Sequence, residues 1–220
     1  MRNPWRNLNT DVTSIHPLDM QAVDEFNAQA KEEYQFCNTL LPDPYIGSLK
    51  AKVLLLALNP GLSAEDYQTH ADEQFRFLYK QNLAQVKCDY PFYYLSPDLN
   101  CPGSKWWRGK LRWFSEEMDD KILAQSICCL QYVPYHSVQF KQAKQMLPTQ
   151  EYTREIVKSF MDRNAPIVFM RSKSKWEQLV PELKGYPNAM MLRNPRNPTF
   201  SPKNMGEENF EELLKLVRRK

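Results

Sequence analysis

The sequence predicts an α/β protein: a three-layer sandwich in which a central four-stranded, mainly parallel sheet lies between helices. Three observations point there. Four short apolar runs recur along the chain, Lys52–Leu58, Ile127–Val133, Pro166–Met170 and Ala189–Arg193. Segments with apolar residues at helical spacing separate them. The runs are nearly continuous rather than alternating, the pattern of strands covered on both faces. The 220 residues suffice for one hydrophobic core, so a single domain is expected, with an arm and a helix over 1–50 and the sheet and its helices over 51–220.

In order, residues 1–17 read as an arm with little periodicity. A helix is expected over 18–36, where Val23, Phe26, Ala30 and Tyr34 share a face. Two prolines and a glycine make 38–48 a loop. After the first strand, Ser63 and Asp66 have the spacing of a capping box. Phe75, Leu78 and Tyr79 mark the next helix, and the aromatic, proline-rich 90–102 is irregular. Trp107, Leu111, Phe114 and Met118 mark a further helix. Thr149 is placed to cap a helix carrying Tyr152, Ile156 and Phe160, and Ser174 to cap a short one through Trp176 and Leu179. The last helix buries Phe210, Leu213, Leu214 and Val217, and the basic Arg218–Lys220 suits its C-terminus.

Composition narrows the function classes. Five cysteines, Cys37, Cys88, Cys101, Cys128 and Cys129, contain no C-x-x-C pair, so no disulfide framework or zinc site is expected. No apolar run approaches membrane-spanning length and the N-terminus lacks an apolar signal core, so a soluble, cytoplasmic protein is expected. The net charge is only +3, but basic residues cluster without acids over 103–115 and 184–206, with Arg171, Lys173 and Lys175 as a third group. These are either solvated faces or a surface for a polyanion.

In parallel sheets ligands sit beyond the carboxyl ends of the strands. The segments there are LNPGLS, LQYVPYHS, MRSKS and RNPRNPTFSP. They carry amides, hydroxyls, arginines and His136, but no carboxylate, which argues against paired-carboxylate chemistry. With three histidines in the chain, a metal centre is not expected. LNPGLS lacks the Gly-Lys-Ser/Thr of a phosphate loop and the spaced glycines of a dinucleotide turn. A Cys128 or Cys129 nucleophile paired with His136 is weaker than an inert strand thiol. What remains suits a flat, neutral, polar ligand beside phosphates, read by amides and held by arginines. Asn59-Pro60-Gly61 is also a good plain turn.

LNPGLS after an apolar strand resembles the first motif of the uracil-DNA glycosylase superfamily, nearest its mismatch-specific uracil/thymine branch, and NPRNPTFSP over 194–202 stands where that family has its second. The resemblance spans roughly Lys52 to the C-terminus and implies DNA as partner, no cofactor, no metal and the excision of a base; a monomer is expected, with the oligomeric state left open by the sequence. It implies that Asn59 holds the attacking water and that Leu58, Pro60 and Gly61 line the base pocket. Phe92 would stack on the extruded base and Gln131 would read its edge. Arg193, Asn194, Arg196, Asn197, Ser201 and Lys203 would meet the phosphates, and Phe200 would wedge into the duplex. The chain departs from the pattern at Ala57, where glycine is usual, at Gln131, where asparagine is usual, and in lacking the second-motif histidine, for which His136 is expected to substitute in space. The four spaced cysteines that the family's iron–sulfur branch would need are not there, so no iron–sulfur cluster is expected. The expected function is hydrolysis of the N-glycosidic bond of uracil or a related damaged base. The alternatives are a non-catalytic nucleic-acid or nucleotide binding module and a free-nucleoside hydrolase.

Overall fold

A computed structural model describes residues 2–9, 11 and 14–219. The helices are α1 (Met20–Gln29), α2 (Ala64–Ala71), α3 (Glu73–Ala84), α4 (Pro102–Ser115), α5 (Asp120–Ser126), α6 (Gln150–Asp162), α7 (Lys173–Leu179), α8 (Pro202–Met205) and α9 (Glu207–Arg218). The strands are β1 (Tyr45–Gly47), β2 (Val53–Leu56), β3 (Ile127–Leu130), β4 (Ile167–Phe169) and β5 (Ala189–Met191). The sheet has five strands in the order β1-β3-β2-β4-β5. The four apolar runs form its parallel part, and β1 adds antiparallel to β3 with Tyr45 opposite Leu130. The expected four-stranded sheet is thus corrected to a mixed five-stranded one.

The corrected strand lies in 38–48, read as a loop. Three residues are too few to show a period, and Asp43-Pro44 before them looks like a turn. Tyr45, Ile46 and Gly47 are nonetheless all buried. Gly47 has φ of +104°, and a Cβ there would stand 2.5 Å from the Ile127 carbonyl oxygen. Only glycine allows the chain to pass so close to β3.

One face of the sheet presents Val53, Leu55 and Ile127 to Leu111 and Phe114 of α4, Leu123 of α5, and Leu213 and Val217 of α9. On the other face Tyr152 of α6 lies near Tyr45 and Cys128. Helices therefore cover both faces, as the apolar runs require. Cys128 and Cys129 are fully buried in this core, burial pushes both thiols up, and all five cysteines are free.

Helix ends follow local chemistry in most places. Asp66 accepts from the Ser63 backbone N–H at 2.7 Å and from its hydroxyl at 2.9 Å, the expected capping pair. The short helix after β4 differs. Its N-cap is Ser172, at φ of +52°, and Ser174 lies inside α7. Thr149 precedes α6, but its hydroxyl donates to Asp19 rather than capping the helix. The expected helix over 18–36 stops at Gln29, followed by a 3-10 turn at Glu32–Tyr34. Lys220, expected at the basic helix end, lies outside the described residues. No helix among them is long and apolar enough to cross a membrane.

Candidate functional site

The strand order places β2 between β3 and β4, so the chain leaves β2 for one neighbour and later returns to the other. A crevice is expected at the carboxyl end of such a strand. A cavity of about 450 Å³ opens there. It is lined by the segment after β2, by Gln131, His136 and Ser137 after β3, and by Met170 and Arg171 after β4.

The turn after β2 is fastened to the segment after β3. Ala57 N–H donates to the Leu130 carbonyl at 2.9 Å, Val133 N–H to Leu58 at 2.9 Å, and Ser137 N–H to Pro60 at 3.3 Å. Trp176 Nε1 donates to the Ala57 carbonyl at 2.9 Å. Asn59 adds three bonds through Nδ2, to the Pro60 carbonyl at 3.0 Å, the Ser137 hydroxyl at 2.9 Å and the Tyr135 carbonyl at 3.4 Å. All three use the donor end, which leaves Oδ1 as the acceptor for a water. Leu58, Pro60 and Gly61 line the cavity with Asn59.

Gln131 is 6% exposed and lines the same cavity. Its backbone N–H donates to the Pro44 carbonyl at 3.2 Å, but its side-chain Oε1 is buried without a hydrogen-bond partner among the described residues. A buried amide oxygen in that state costs about 1–3 kcal/mol, which a ligand donor would recover. His136 is occupied differently. Its Nδ1 lies 2.6 Å from the Gly61 carbonyl, which can only accept, so Nδ1 carries the proton. Burial lowers its pKa, against the Gly61 and Leu41 carbonyls that favour the protonated ring. Its Nε2 is buried without a hydrogen-bond partner among the described residues. His136 thereby holds the turn and lines the cavity, as expected from its place after β3.

The aromatic walls are Tyr94, Trp106, Trp107 and Phe140. Phe92, expected to stack on a base, is fully buried with its ring edge-on to Trp107 at 4.9 Å. It belongs to the core. Tyr94, two residues on, reaches the cavity instead.

Two carboxylates also line it, although the strand-end segments carry none. Asp66 is the capping residue of α2. Asp43 is 4% exposed and accepts from the Tyr93 hydroxyl at 3.0 Å through Oδ1. Burial pushes its carboxyl up to about 7, with the Tyr93 hydrogen bond opposing. Sequence reasoning missed Asp43 because β1 runs antiparallel. The N-terminal end of that strand lies beside the C-terminal ends of the others. Its one signal is an acid held between two prolines, Pro42 and Pro44, ahead of an apolar triplet.

The second-motif loop is built apart from the cavity. Asn194 Oδ1 accepts from Arg196 and Asn197 N–H, both at 3.2 Å. Asn204 closes the loop with Nδ2 bonds to the Asn197 and Thr199 carbonyls at 3.2 and 2.8 Å. Ser201 accepts from Asn204 N–H at 3.3 Å and caps α8. Arg193, Ser201 and Lys203 line a separate shallow depression with Trp113. Phe200 is 1% exposed and faces the core between the sheet and α4, so the expected wedge is corrected to a core residue. The loop is tied toward the cavity rim by Lys110 of α4, whose ammonium donates to Asn197 at 2.6 Å. Lys110 stands over the half-exposed Trp106 ring at 5.3 Å, and the nearby Arg171 charge helps lower its pKa, after burial. Lys110, Arg171 and Trp106 thus form a basic, aromatic rim.

Among the described residues no group of three or more His, Cys, Asp or Glu could hold a metal ion. Compared with protein-family models, with curated proteins and with solved structures, the chain matches none.

Proposed function

We propose that this protein hydrolyses the N-glycosidic bond of uracil or a related damaged base in DNA, using a water held by Asn59. The observation that carries the reading is one cavity shared by three parts: the free acceptor of Asn59, the unpartnered amide of Gln131 and the rings of Tyr94, Trp106 and Trp107. A flat base between those rings would place its polar edge on Gln131, and the rim cations Lys110 and Arg171 would take flanking phosphates. An amide orients water without deprotonating it. The reaction therefore proceeds through an oxocarbenium-like sugar as the base departs, and the resemblance of LNPGLS to the glycosylase motif agrees with that chemistry.

A second reading, a hydrolase of free nucleosides, draws on the loop 194–201. It lies outside the cavity, and its only large ring is in the core. Base release from uracil-containing and mismatched single- and double-stranded oligonucleotides, run beside nucleoside turnover, separates the two. The glycosylase reading expects release from oligonucleotides and a loss of at least about 100-fold in Asn59→Ala. Absence of release from every oligonucleotide would sink it.

A further inference from the structure

On the glycosylase reading the cavity needs a group that can neutralise a departing base, and the His136 proton on Nδ1 is held by the Gly61 carbonyl. Apart from the Tyr94 phenol, whose pKa burial holds well above its usual value, the acids on the wall are the carboxyls. Asp66 is half exposed to solvent and spends an oxygen on the Ser63 cap. Asp43 is buried, lines the cavity and has one hydrogen bond, on Oδ1 from Tyr93. Its Oδ2 takes none among the described residues.

Asp43 and Gln131 are neighbours for a topological reason. The chain before β1 runs antiparallel beside the chain after β3, with Gln131 N–H bonded to Pro44 and Asp43 N–H to Pro134 at 2.7 Å. Two deeply buried polar side chains thereby line one cavity, each with an oxygen left for a ligand. We propose that Asp43 is the proton donor of this cavity, hydrogen-bonding through Oδ2 to an acceptor on the bound base and passing its proton to that base as the glycosidic bond breaks. The proposal rests on the glycosylase reading for its second half and on the cavity alone for its first.

The step balances. The C1′–N bond breaks with its electron pair on the base, and the Asp43 proton neutralises that pair. The water held by Asn59 supplies oxygen to C1′, and the proton it loses returns to the Asp43 carboxylate. The preferred ligand is a heterocycle with a carbonyl oxygen or bare ring nitrogen at its edge, beside a donor that meets Gln131 Oε1. The titratable groups around the carboxyl are Tyr79 from α3, Tyr93 and Tyr94 from the turn before α4, and Cys129 from β3. His136, Asp66 and Arg171 face the same cavity. Burial holds the acid protonated up to about pH 7. The donor is present below that pH and lost above it.

The test pairs Asp43→Asn, which keeps the shape and the acceptor for Tyr93, with Tyr93→Phe. Two readouts are followed from pH 5 to 9: base release from a uracil oligonucleotide, and binding of free uracil read by tryptophan fluorescence. Wild type should lose both as pH rises through about 7. Asp43→Asn should release base at least about 10-fold more slowly at pH 6, with a flat profile. Tyr93→Phe, by removing the bond that favours the carboxylate, should move the wild-type fall to higher pH. A merely structural Asp43 would not shift that limb. If wild type releases nothing but binds uracil with this pH dependence, the glycosylase reading fails and the donor stands. If Asp43→Asn keeps the wild-type pH profile in binding and release, or wild type binds no uracil at pH 6, the donor role is overturned.

Discussion

Phe200 shows how one residue can carry two opposite readings. In NPRNPTFSP an aromatic ring flanked by turn residues looks like something thrust outward. In the fold the same ring closes the core between the sheet and α4, in a crevice shared with Val53, Leu55 and Leu111. Phe200→Ala is therefore expected to cost about 3–5 kcal/mol of stability, since removing a buried ring leaves a cavity that the surroundings refill only in part. Denaturant unfolding measures this, and a variant with wild-type stability would return Phe200 to the surface. Asn59 behaves in the opposite way. Its place was legible, because Asn-Pro-Gly after an apolar strand must sit where parallel strands end. What the residues could not say is that Nδ2 is spent on Ser137 and two carbonyls, which leaves Oδ1 as the acceptor.

At the scale of elements, the longer apolar runs announced themselves and the short edge strand did not. β2, β3 and β4 are buried on both faces, so their sequences are continuous and recognisable. β1 has three residues and a glycine, and nothing local distinguishes it from a loop. Its existence is decided by its partner, β3. Gly47→Ala tests this element directly. The added Cβ meets the Ile127 carbonyl oxygen, and the positive φ strains any other residue, so at least about 2 kcal/mol should be lost. Thermal unfolding reads the change. Because Asp43 is carried by the same element, the variant should also alter the pH profile of uracil binding.

Over the whole molecule, the net charge of +3 says little, while its placement says more. Of three basic segments, Arg171 lines the cavity, with Lys110 over the Trp106 ring and Lys175 over the Phe140 ring of its wall. Arg193 and Lys203 gather instead near Trp113. If the rim meets phosphates, Arg171→Gln should weaken oligonucleotide binding and reduce the dependence of log affinity on log salt by about 1. A fluorescence-anisotropy titration across salt concentrations gives that slope. An unchanged slope would remove Arg171 from the interface.

The sequence by itself determined the α/β class, the parallel strands, the capping pair at Ser63 and Asp66, and the position of Asn59 and Gln131 at strand ends. These are local properties, set by apolar periodicity and by turn residues whose backbone preferences act over a few positions. Tertiary structure alone decided the fifth strand, the burial of Phe92 and Phe200, the proton on His136 Nδ1, and the entry of Asp43 into the cavity. Each depends on a partner distant along the chain: β3 for β1, α4 for both phenylalanines, Gly61 for His136. Asp43 is the sharpest case. An antiparallel edge strand reverses which of its ends faces the cavity, and only the strand pairing reveals that reversal.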